Sequence, residues 1–80
     1  MDEAKIREKV VQIMADVIGV DAGTIDDESS PDTVEAWDSL KHMNLVLSVE
    51  EVFEIQFTDN QIVEMLSVRA IIEAVLELTA

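Results

Sequence analysis

The run Trp37-Asp38-Ser39-Leu40-Lys41-His42 holds the residue types from which a small chain could build chemistry. Asp38 has the short acceptor side chain that suits a helix N-cap, which places Ser39 in the first turn of a helix. Free backbone N–H groups and the helix dipole at such a place favour an attached phosphate, and a hydroxyl there is reachable by a modifying enzyme. Leu40, next to Ser39, can point into the core and fix the turn. An ordinary Asp cap followed by a serine reads the same way, so the tripeptide alone is a weak signal. Asp38, Ser39 and His42 also contain the residue types of a hydrolase triad, and Ser39 and His42, three apart on one helix, can be neighbours. A triad further needs a base oriented by a third group, and an oxyanion hole. Nothing else in the chain supplies a lined pocket. No catalytic residue is assigned, and His42 is expected to be exposed or at an interface.

Cysteine is absent. Disulfides, thiolate metal sites and a protein thiol nucleophile are thereby excluded, and any thiol chemistry would need an added cofactor. The acidic stretch from Asp21 to Asp32 fails as an EF-hand loop. Its third and fifth ligand positions would be Gly23 and Ile25, and its twelfth would be Asp32 instead of Glu. No metal site is assigned.

The formal net charge is -13 on 80 residues. Nucleic acid and anionic membrane surfaces would repel such a chain, and basic partners would attract it. The cations are unevenly placed: Lys5, Arg7 and Lys9 near the start, then Lys41, then Arg69. Asp16, Asp21, Asp26, Asp27, Glu28, Asp32, Glu35 and Asp38 fall in the gap between Lys9 and Lys41. This acidic run reads either as a solvated surface or as a docking face. The start, Met1-Asp2-Glu3, lacks the pattern of a signal peptide, and no apolar run approaches the roughly 18 residues of a membrane span. The expectation is a cytoplasmic monomer forming one domain over 1–80.

The elements that must position Ser39 are legible in the apolar spacing. Ile6, Val10, Ile13, Met14 and Val17 recur at three- and four-residue steps, with Asp2 to cap the helix and Gly19 to stop it. A long connection, Val20 to Trp37, follows, with Val20, Ile25, Val34 and Trp37 as inward anchors; loops this long in small domains are usually functional. The second helix carries Leu40, Met43, Val46, Leu47, Val49 and Phe53 as a broad apolar face. Phe53 to Phe57 alternates with period two, but a lone strand is unstable in water, so it is expected to be an extended connector. Thr58-Asp59-Asn60-Gln61 fits a capping box that opens a short third helix. Ser67 can cap a last helix with Val68, Ile71, Ile72, Val75 and Leu76 inside. The fold class is all-α: a small four-helix bundle with a long first loop and a short third helix.

Asp38-Ser39-Leu40, then Leu45, Leu47, Glu50-Glu51 and Phe53, then a short helix and Ser67-Val68, resembles the acyl carrier protein family over nearly the whole chain. The resemblance implies that Ser39 receives 4'-phosphopantetheine from coenzyme A through a phosphodiester, with Asp38 beside it helping to seat the arm. The thiol of that arm would hold acyl groups as thioesters, and the protein itself would not be an enzyme. The implied partners are a phosphopantetheinyl transferase and basic-surfaced acyl-transfer and synthase enzymes of fatty-acid, polyketide or related biosynthesis. Leu40, Lys41, Asn44, Glu50 and Glu51 would form the docking surface, with cargo between helices lined by Met43, Val46, Ile62 and Ile71. The fatty-acid-synthesis type commonly has acidic residues where this chain has Lys41 and Asn44. Trp37 and His42 look more like specialised stand-alone or peptidyl carriers. A peptidyl carrier of a nonribosomal system and an unmodified acidic interaction module are the rival readings.

Overall fold

Asp2 and Gly19 bound the first helix as their chemistry predicts. The computed structural model describes residues 2–79, so Met1 and Ala80, the ends of the expected domain, lie outside the described residues. In α1, Glu3–Ile18, the Asp2 carboxylate accepts from the Lys5 N–H at 2.9 Å, and Gly19 takes φ +83° and returns its N–H to the Ala15 carbonyl. Only glycine occupies that left-handed region without a steric cost. Ile6, Val10, Ile13, Met14 and Ile18 are buried, and α1 packs against both long partners that follow.

The connection after α1 holds a 3₁₀ turn, Ala22–Thr24, which spacing did not reveal. The Asp21 carboxylate nucleates it by accepting from the Gly23 N–H at 2.9 Å. Trp37 is buried, while Val20, Ile25 and Val34 rest against the edge of the core, so all four expected anchors hold. A further anchor is ionic. Arg7 donates from Nε and Nη2 to the two carboxylate oxygens of Asp27 at 3.0 and 2.8 Å, and Arg69 Nη1 reaches the same carboxylate at 3.3 Å. The Arg7 hydrogen bonds hold the Asp27 carboxyl below its usual range, and its neighbours' charges add to this.

The remaining helices are α2, Ser39–Phe53, α3, Asp59–Glu64, and α4, Val68–Thr79. Phe53 closes α2 and does not begin an extended connector; the helix stops at Glu54, which takes the left-handed φ of 56°. The Thr58–Gln61 capping box forms in both directions. The first N–H groups of α4 are met in turn by the Ser29 carbonyl, the Asp27 carbonyl and the Ser67 hydroxyl. Loop and helix therefore satisfy each other's otherwise orphaned groups. Every regular element among the described residues is helical, and the fold is a four-helix bundle with a long first loop and a short third helix.

The core lies where α1 meets α2 and α4. Leu45, Val46, Val49 and Phe53 enter it from α2, and Val68, Ile71, Ile72 and Val75 from α4. Phe57 and Met65 plug it from the two short connections. Leu40 is 71% exposed and so does not point into the core, and Met43 and Leu47 also face out. α2 is apolar around most of its circumference, so periodicity alone could not choose the buried side.

Candidate functional site

Asp38 builds the site. Its backbone is extended, and its side chain accepts from the Lys41 N–H at 2.8 Å while its carbonyl accepts from His42. Ser39 is thereby fixed as the first residue of α2. Its side chain is exposed and has no hydrogen-bond partner among the described residues. The N–H groups of Ser39 and Leu40 are the two of this first turn that the cap leaves unpaired.

An open cleft of about 590 Å³ begins at Ser39. Met43 and His42 of α2 line it together with Ile62, Val63 and Leu66 from α3 and its exit, and Trp37 and Pro31 come from the loop. Of the four residues expected to enclose cargo, Met43 and Ile62 line this cleft. Val46 and Ile71 are sealed in the core instead.

His42 is not free. The Trp37 Nε1–H donates to its Nδ1 at 3.0 Å, and its Nε2 lies 3.0 Å from the Ile62 carbonyl. The Trp37 and His42 rings lie edge to edge along this bond, with centroids 5.9 Å apart and planes 28° from parallel. With both nitrogens engaged in structural bonds, and neither with the Ser39 hydroxyl, no triad is assembled. Sequence spacing placed His42 near Ser39 but held no signal for its partners, which come from the loop and from α3.

The residues assigned to docking divide into two groups. Leu40, Asn44 and Glu51 are exposed, and Leu40, Met43 and Leu47 form an apolar ridge leading away from Ser39. Lys41 departs from its expected exposed position. It leans onto the end of α1, with Nζ 3.4 Å from the Val17 carbonyl. Glu50 is also half-buried: its carboxylate accepts from the Phe57 N–H at 2.8 Å and ties down the connection to α3. Among the described residues no cluster of three or more His, Asp or Glu could hold a metal ion. No helix there is long and apolar enough to cross a membrane.

Comparison with known proteins agrees with this arrangement. A family model described as "Phosphopantetheine attachment site" matches residues 8–75. The acyl carrier protein of Rubrobacter xylanophilus is 32% identical over 78 residues, covering 96% of this chain and 95% of that one. A solved structure of the acyl carrier protein from Enterococcus faecalis superposes with a TM-score of 0.79. It covers 98% of this chain and 99% of that one, at 22% identity, and so speaks to the fold alone. A four-helix bundle that presents a capped, unpartnered serine beside an apolar cleft, matched along its length by these relatives, belongs to the acyl carrier protein family.

Proposed function

We propose that Ser39 carries 4'-phosphopantetheine, and that the chain presents acyl intermediates to fatty-acid, polyketide or related biosynthetic enzymes in the cytoplasm. Acyl carrier proteins are carriers and not enzymes, and phosphopantetheine is the cofactor of the family. When bound, the arm supplies a thiol that holds acyl groups as thioesters. This chain has no cysteine of its own to compete with it.

The observation that carries the reading is the Ser39 hydroxyl: exposed, without a hydrogen-bond partner among the described residues, at the start of a capped helix and at the mouth of an apolar cleft. The residues present fit the group. A phosphodiester on that oxygen would lie at the positive end of the α2 dipole, near two unpaired N–H groups. Asp38 contributes by holding the turn, because its carboxylate is already engaged as the cap. Met43, Ile62, Val63 and Leu66 offer the apolar surface along which an arm or its cargo would rest.

The docking surface is then the ridge of Leu40 and its neighbours with exposed Asn44 and Glu51, flanked by Asp38. A partner with basic residues around an apolar socket complements it. Lys41 and Glu50, expected among the docking residues, act here by holding α1 and the α2–α3 connection in place. Members of the family are served by a phosphopantetheinyl transferase, and the chain would meet it as a monomer.

Intact mass after incubation with coenzyme A and a promiscuous phosphopantetheinyl transferase tests the assignment. One phosphopantetheine should be gained, peptide mapping should place it on Ser39, and Ser39→Ala should abolish the gain. Modification at Ser29, Ser30, Ser48 or Ser67 instead would overturn it.

A further inference from the structure

We propose that His42 is a positioning residue: a hydrogen-bonded latch that holds α3 against α2 and so sets the width of the cleft beside Ser39. The functional meaning of that width rests on the carrier reading above; the latch itself does not.

The chemistry of the three groups fixes the direction of both bonds. An indole N–H can only donate, so the His42 Nδ1 that Trp37 addresses at 3.0 Å must be the acceptor. In a neutral ring the proton then sits on Nε2. The Ile62 carbonyl, 3.0 Å away, can only accept, and it receives that proton. One tautomer thus satisfies all three groups.

The Ile62 carbonyl needs this donor. In a continuing helix it would accept from the Leu66 N–H. α3 ends at Glu64, and the Leu66 N–H turns back to the Glu64 carbonyl at 2.9 Å. His42 therefore replaces the missing helical partner from outside the helix. The replacement matters because α3 has six residues and none of them is buried. So short a helix has little stability of its own. Among the described residues the anchors that hold it to the rest of the bundle are buried Phe57 just before it, whose N–H Glu50 holds, Met65 just beyond its end, half-buried Ile62 and the His42 bond. Such a segment sits at the low end of local stability.

Its position also decides the site. Ile62 and Val63 belong to α3, and Leu66 follows it; all three line the cleft opposite Met43. His42 lies in the same lining and is the one residue there that bonds both to the loop and to α3. Breaking its bonds frees α3 to move away from α2 while α1, α4 and the core between them keep their contacts. His42 is thus placed to set how much room a chain entering from Ser39 finds.

The test uses the full-length unmodified protein, labelled with ¹⁵N. Long-range proton–nitrogen correlation of His42 should show a neutral ring protonated at Nε2 near neutral pH. Amide exchange is then compared between wild type, His42→Gln and His42→Phe. In His42→Phe, exchange of the α3 amides and the single Trp37 indole should rise about tenfold, the scale of losing one or two net hydrogen bonds. The slowest amides of α1 and α4 should not change. His42→Gln, which keeps a donor, should restore part of the protection in α3. Should His42→Phe unfold, Trp37→Phe serves, with a change of the His42 nitrogen signals and faster α3 exchange expected. An Nδ1-protonated ring, or an α3 whose exchange is the same in His42→Phe as in wild type, overturns the latch. A uniform rise over all four helices also overturns it, since that marks a general packing role. These readings need no arm on Ser39. A failure of modification at Ser39 would count against the carrier reading and leave the latch measurements standing.

Discussion

Lys41→Asp is the substitution that separates a structural role from a partner-facing one. Resemblance to general fatty-acid carriers makes an acid at this position look like an improvement in docking. The geometry says that it should cost stability. The last turn of α1 contains no basic residue, and its final carbonyls carry the negative end of the dipole. Lys41 Nζ supplies the missing cation from α2, 3.4 Å from the Val17 carbonyl. That distance makes a weak hydrogen bond, so the charge–dipole part dominates. A cation at a helix C-terminus contributes about 0.3–1 kcal/mol, and a carboxylate in its place should repel by a similar amount. The swing is roughly 0.6–2 kcal/mol, which for a domain of this size lowers Tm by about 4–12 °C at low salt. Thermal melts of Lys41→Arg, Lys41→Met and Lys41→Asp should rank in that order below wild type. The differences should shrink near 1 M salt, where the Debye length falls to about 3 Å. Lys5→Asp is the control. It changes net charge equally but lies in the first turn of α1, where the dipole favours an acid. If Lys41→Asp melts with wild type, or no lower than Lys5→Asp, Lys41 does not act on the α1 dipole. Asn44→Glu, at an exposed position, is then the cleaner probe of partner choice.

Two further outcomes concern the charges. Asp27 has a folded pKa held below its unfolded value of about 3.9 by its bonds to Arg7, so its contribution is present above that value and is lost as pH falls through the folded one. The urea midpoint of Asp27→Asn should therefore lie below wild type at pH 7, and the gap should close below about pH 4; a gap independent of pH would refute the ionic tie. With 18 acidic residues against 5 basic ones, repulsion outweighs the few ion pairs, and Tm should rise with added salt or millimolar divalent ions near neutral pH. A Tm unmoved by both would show that the charges are too dispersed to matter.

The sequence by itself determined what is local. Asp2, Asp38 and Thr58 are caps because a short acceptor side chain can reach only N–H groups two or three residues ahead. Gly19 ends α1 because the backbone there must turn left-handed. These neighbours alone fix where α2 starts, and hence where Ser39 stands. The tertiary structure decided what depends on residues far apart in the chain. Arg7, Asp27 and Arg69 are tied across 20 and 42 positions, and no periodicity links them. Lys41 meets α1, Glu50 meets Phe57, and His42 meets Trp37 and Ile62, because each side chain reaches a neighbour that only packing supplies. Leu40 is the plainest case. On a helix apolar nearly all round, every turn offers more than one face to bury, and the choice fell to where α1 and α4 lie. They took Leu45, Val46 and Val49, and left Leu40, Met43 and Leu47 in solvent as the ridge that leads away from Ser39.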